Sequence, residues 1–516
     1  MKNDCQFGHL KIHASMNLRL QTSKDTDNYS SLRSSEADLD YYREQLALER
    51  TARTLTLRRS QRPTLSAFLS KTPASSQAML KSPLIDSANF PFLDPNYAIK
   101  QLSSNNLSTL AEFLNNITAC AQQTPRLAYG LARNPDIPTA FINALNSEYP
   151  EQIKLMLMRA LTVIFPISED NKNVFIDDGL TFYLFDALSS QSLPLLEAAV
   201  MLTDSISESS SYARDSILSF GLLDFLVDIA KSERSESLTI QACEAMNKIF
   251  SNKTLIEATI LASCVEPISK LLSLHSIPAV NIVLLCLLHM TNKSTALVFA
   301  IYEQKLFPVI VSMLNNPELT QNALPLIGNI SVGNSEQIST LLECGLFPAL
   351  MHLIDTQYTA DVYWVLSNLV ESTPHLTVPL FTSDFIEKSV DIATSAAFEV
   401  RRESAFFIAT LIIFTSIQDL SFFLNDDTLD LICEMLALNN AILIVLRCLD
   451  AIIRISGYVI NNALETVVPI LNTLLSDGLR DKLEGLVESD SKVIEERASF
   501  ILKQLDDLEN SSLIAQ

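Results

Sequence analysis

One pattern, met seven times at nearly even spacing, limits what this chain can fold into. A small or polar residue opens an apolar stretch of helical period. It occurs as GLTFYLFDAL from Gly179, GLLDFLVDIA from Gly221, CVEPISKLL from Cys264 and KLFPVIVSML from Lys305. It returns as GLFPALMHLI from Gly345, DFIEKSVDIA from Asp384 and DTLDLICEML from Asp427. The starts step by 42, 43, 41, 40, 39 and 43 residues. A second apolar helix follows each one. Such a unit cannot bury its apolar face alone. It buries it only against neighbouring copies, so the copies must stack.

The period and the spacing of apolar residues at three and four positions indicate an all-α chain. They predict an armadillo-repeat, right-handed superhelical solenoid of about ten repeats, with a flexible basic N-terminal segment. The armadillo arrangement implies three helices per repeat, the last lining a groove. The composition agrees, with only 10 glycines against 48% hydrophobic residues. Three of these glycines, Gly179, Gly221 and Gly345, sit before the apolar helices, where a tight turn favours positive φ.

Order along the chain divides it further. Residues 1–40 are polar and read as a disordered tail. Residues 41–71 hold seven basic residues and two Glu, with Arg43, Arg50 and Arg53 on one helical face and Arg58 and Arg59 beyond. Residues 72–96 carry Pro73, Pro83, Pro91 and Pro95 and read as a linker. Repeats occupy 97–508, and 509–516 form a short tail.

Charge is split between these parts. Residues 1–83 contain 13 Lys and Arg against 8 Asp and Glu, a net of +5; the remaining chain is at −27, which sums to −22. An acidic body attracts cationic partners and argues against direct nucleic-acid binding. No apolar run reaches the roughly 18 residues of a membrane span, so no membrane insertion is expected. The eight Cys include no CxxC pair, which fits buried thiols better than a metal site. There is no GxSxG, HExxH or phosphate loop, so an enzyme is not expected, and no cofactor.

The candidate site lies in residues 322–370. Trp364, the sole tryptophan, and Asn368 are four apart and share one helical face. Asn329 holds the equivalent place one unit earlier. An indole wall beside an amide suits an extended peptide: the ring flanks an aliphatic stem, and the amide pairs with a backbone that has no sheet partner. Asp361, three before Trp364, can flank the same cation.

Four stretches resemble the importin-α (karyopherin-α) family: ALPLIGNISVGNSEQ at 323–337, DVYWVLSNL at 361–369, ARDSILSFGLLDFL at 213–226, and GLRDKLEGLVESDSKVIEERASFILKQL at 478–505. LTLRR before Ser60 resembles the end of that family's importin-β-binding segment. The resemblance implies a nuclear import adaptor, shuttling between cytoplasm and nucleus. It would hold basic nuclear localisation signal peptides on Trp–Asn pairs and link such cargo proteins to importin-β. Arg43, Arg50, Arg53, Arg58 and Arg59 would serve importin-β, and the last repeats an export receptor.

The resemblance is uneven along the groove. The Trp and Asn places of repeats two to four fall on Arg159 and Val163, about Met201 and Ser205, and Glu244 and Lys248. Glu208 is the nearest acidic candidate there, and His289 takes the Asn place of repeat five. Repeats six to eight do better. Asn329, Gly333, Asp361, Trp364, Ser367 and Asn368 keep their places; Glu403 stands in line with Asp361, and Phe406 replaces the next Trp. These eight residues form the expected peptide site. The alternative is an armadillo scaffold for cytoskeletal or membrane-associated assemblies that binds no signal peptide.

Overall fold

The computed structural model describes residues 90–436, 442–461, 464–476, 478–489 and 491–510. They all fall in one compact unit, Glu49–Gln516. The basic segment with Arg43, Arg50, Arg53, Arg58 and Arg59 lies outside the described residues. Helical structure starts at Pro91 and ends at Asn510, and no strand occurs among the described residues.

The architecture is an armadillo-repeat solenoid. The long third helices are α1 (Leu107–Gln123), α2 (Glu151–Ile164), α3 (Leu193–Ser209), α4 (Glu236–Ser251) and α5 (Ile277–Lys293). They continue as α6 (Pro317–Ile330), α7 (Thr359–Ser372), α8 (Phe398–Phe414), α9 (Ile442–Asn461) and α10 (Lys492–Asn510). Each packs on the next in chain order, so the ten make one continuous layer. Two shorter helices precede most of them, as Ser335–Glu343 and Leu346–Leu353 precede α7.

Local chemistry sets these boundaries. Asn106, Ser235, Ser276 and Asn316 accept backbone N–H bonds as N-caps of α1, α4, α5 and α6. Gly179, Gly221 and Gly345 take φ of 106°, 71° and 85° at the turns into the apolar helices, conformations that cost a side chain strain. Lys305 adopts φ 54° at the equivalent turn without that freedom. At Cys264 the expected start is absent. One helix, Ala258–Ser269, runs through that position, because no residue there leaves the right-handed region. Asp384 and Asp427 begin their helices differently again, behind the side-chain caps Thr382 and Asn425.

Repeats are also tied by polar bonds. Arg214 is only 1% exposed. Its guanidinium donates to Thr254 O at 2.9 Å, Thr254 Oγ1 at 3.1 Å and Leu255 O at 3.3 Å, and pairs with Asp215 at 2.7 Å. One buried fork thus pins the loop after α4. Arg214→Lys keeps the charge but loses the fork. It is expected to cost about 1–2 kcal/mol, read as a lower urea midpoint.

Buried thiols fit the same core. Burial pushes Cys243 up to about 12 and Cys264 up to about 11, which holds them as inert protonated packing groups.

Candidate functional site

Trp364 and Asn368 lie on one side of α7 and meet the same residue of α6. The indole covers Gly328 so closely that a Cβ built there would stand 1.8 Å from Trp364 Cζ3. Asn368 Nδ2 donates to the Gly328 carbonyl at 2.9 Å. Its Oδ1 is buried without a hydrogen-bond partner. Trp364 is 3% exposed and Asn368 1%. The rung is therefore packed into the α6–α7 contact rather than standing clear of it.

Asn329, likewise buried, reaches back to α5, donating to Thr291 Oγ1 at 3.0 Å and Asn292 Oδ1 at 2.8 Å. The Asn place behaves alike at other points of the layer. Ser205 Oγ donates to Thr162 O at 2.7 Å, and Lys248 Nζ pairs with Glu208 at 2.8 Å. Ser205, Lys248, Asn329 and Asn368 each hold the preceding third helix, about forty residues back, whereas Val163 is apolar and Thr410 bonds Phe406 O within α8. The residue at this place decides what chemistry that point of the layer presents.

The remaining expected residues have distinct surroundings. Gly333 makes room for Gln337, whose Oε1 would lie 2.4 Å from a Cβ there. Gln337 and Asn334 close a reciprocal cap, 3.0 Å in both directions, that starts Ser335–Glu343. Ser367 Oγ donates to Tyr363 O at 2.8 Å within α7. Asp361 is half-buried at the start of α7. Glu403 is 5% exposed and pairs with Arg402 at 3.1 Å. Phe406 is 3% exposed on α8. Asn329, Trp364, Asn368 and Phe406 thus stand on three successive third helices, while Gly333 and Ser367 shape the local backbone.

Arg447 on α9 was not foreseen. Its guanidinium lies over the Phe406 ring, 4.4 Å from the centroid, and it pairs with Glu371 at the end of α7. Arg447 is 4% exposed and Glu371 12%. A cation on an aromatic face with a carboxylate beyond is the chemistry expected for a bound basic side chain. Here the chain supplies the cation itself. A signal was available: Arg447 is three residues before Asp450, as Asp361 and Glu403 are three before Trp364 and Phe406.

Electrostatics in the first half of the layer differ. Asp204 on α3 is half-buried, and burial pushes its carboxyl up to about 6. Lys248 opposes that rise, while Glu208 and Glu244 add to it. Burial and Lys293 lower His289 to about 4, which leaves it neutral at pH 7. No cluster of three or more metal-ligating side chains occurs among the described residues. Nor does any single helix there have the length and apolarity to cross a membrane.

A continuous stacked layer of third helices, each preceded in most repeats by two shorter helices, is the mark of an armadillo-repeat solenoid. The chain is similar, at low identity, to importin-α subunits. It is 19% identical over 292 residues to importin subunit alpha-8 of Arabidopsis thaliana, covering 55% of this chain and 66% of that one. It is 22% identical over 231 residues to importin subunit alpha-1b of Oryza sativa subsp. japonica, covering 44% and 43%. The chain therefore spans from under half to just under two thirds of the length of these relatives. No family model matches it. An engineered protein of known crystal structure shares the fold with a TM-score of 0.65 at 18% identity, covering 79% of this chain and 98% of that one.

Proposed function

We propose that this armadillo scaffold is a nuclear import adaptor that binds lysine-rich, extended peptides across α6, α7 and α8. The observation that carries the reading is Asn368 Oδ1, a buried acceptor left without a hydrogen-bond partner beside the sole tryptophan. A peptide N–H would satisfy it once the α6–α7 contact opens enough to expose it, and leaving it unmet costs roughly 1–3 kcal/mol. Asp361 would face the cation whose stem lies along the indole. In this reading the basic segment 41–71 engages importin-β, the last repeats meet an export receptor, and the chain shuttles between cytoplasm and nucleus without catalysing a reaction.

Trp364 makes the test direct, because no other residue contributes indole emission. A lysine-rich peptide at micromolar concentration is expected to change that emission, with affinity falling as salt rises. Asp361→Asn is expected to weaken binding about threefold to tenfold, as loss of one partly desolvated charge partner does. A second reading, an armadillo scaffold without peptide binding, draws on the near-complete burial of Trp364 against Gly328. Unchanged emission, together with no heat of binding, would select it.

A further inference from the structure

Two of the chain's own cations stand in the layer where a basic ligand's cations would sit. Lys248 occupies the Asn place of α4 and pairs with Glu208 of α3 at 2.8 Å. Arg447 occupies on α9 the column held by Asp361 on α7 and Glu403 on α8, and it covers the Phe406 ring at 4.4 Å. Each fills its slot from within and meets a carboxylate of an earlier third helix. Between them the rung changes character. Asn322 Nδ2 of α6 donates to Asn281 Oδ1 of α5 at 2.9 Å, Asn329 bonds Asn292, and Asn368 holds Gly328. This middle section carries amides on α6 and α7, and the nearby cation Lys293 of α5 is turned back onto the carbonyls of Asn252 and Thr254.

We infer that Lys248 and Arg447 act as tethered surrogate cations that bound a peptide-binding window over α5, α6 and α7 and limit its ligands to short basic peptides. The inference rests on the peptide-binding reading above, narrows it by closing the α8 end, where Arg447 already covers Phe406, and gives it a length. Helices about 8–10 Å apart make three of them span about 20–30 Å, or roughly six to nine extended residues. A lysine placed beyond that window meets Lys248 at one end and Arg447 at the other. Like charge there cancels what the nearby carboxylates would gain. The chain thus discriminates by occupying its own outer sites.

Lys248 is suited to the test because it is 33% exposed, so its replacement does not open the core. The full chain is titrated with lysine-rich peptides of about 8 and about 16 residues, read by calorimetry and by Trp364 emission. Wild type is expected to bind both lengths equally. Lys248→Gln is expected to bind the longer peptide about tenfold tighter, with the short one unchanged. Adding Glu208→Gln to Lys248→Gln is expected to remove most of that gain, because Glu208 is the carboxylate released. Wild type already favouring the longer peptide tenfold, or Lys248→Gln showing no length dependence, would overturn the inference while leaving peptide binding intact. Absence of binding in wild type would overturn the adaptor reading and the inference with it, even where Lys248→Gln gains binding. Failure of both chains to bind any peptide would remove both.

Discussion

Replacing Gly328 with Ala is expected to destabilise the chain by about 2–4 kcal/mol and to shift the emission of its tryptophan to longer wavelength. The added methyl would stand 1.8 Å from Trp364 Cζ3 and 2.3 Å from Cη2. No rotation of a methyl relieves that overlap, since the Cβ position is set by the backbone. Either the indole leaves its seat or α6 and α7 separate. Loss of a buried aromatic contact costs about 3–5 kcal/mol. The gain of Ala over Gly in a helix returns up to about 1 kcal/mol, so packing decides the sign. Expulsion would also break the register in which Asn368 Nδ2 reaches Gly328 O at 2.9 Å. In a Trp364→Leu background the same substitution should be near neutral. An unshifted emission and an unchanged urea midpoint in Gly328→Ala would show that the indole does not sit on Gly328.

Removal of the Glu371 carboxylate has the other large effect. Arg447 and Glu371 are 4% and 12% exposed, so their charges interact with little solvent between them. Glu371→Gln leaves a buried guanidinium facing a neutral amide and is expected to cost about 3 kcal/mol. Replacing both members with apolar residues, Glu371→Leu with Arg447→Met, is expected to cost much less, because the desolvation penalty disappears with the charges. A double-mutant cycle measures the difference as a coupling energy. A coupling near zero would mean that the pair holds nothing, and that other contacts of Arg447 fix it over Phe406. The same cycle informs the bounded window, since it isolates the interaction that seats Arg447.

The repeat itself was legible in the chain. A step near 42 residues and apolar helical spacing suffice to call for stacked three-helix units, because no single unit can bury its own face. The turns at Gly179, Gly221 and Gly345 were equally legible, since a left-handed residue there is a backbone requirement with a compositional trace. The run through Cys264 was not. Its pattern matches its neighbours, and Lys305 turns left without glycine at the equivalent place, so residue type alone does not separate the two.

The candidate site divides in the same way. The sequence alone determined that Trp364 and Asn368 share a helical face, that Asn329 stands one repeat earlier, and that Asp361 and Glu403 keep the same column. These follow from the helical period, which is local. Tertiary structure alone decided what those side chains touch. The seat of the indole on Gly328, the pairing of Lys248 with Glu208, and the reach of Arg447 across Phe406 to Glu371 join different third helices. Contacts of that kind depend on the offset and rotation of one helix against the next, and a change of about an ångström reassigns them. The period specifies the order of the rungs; the packing of each helix on its neighbour determines which rungs the chain has already filled.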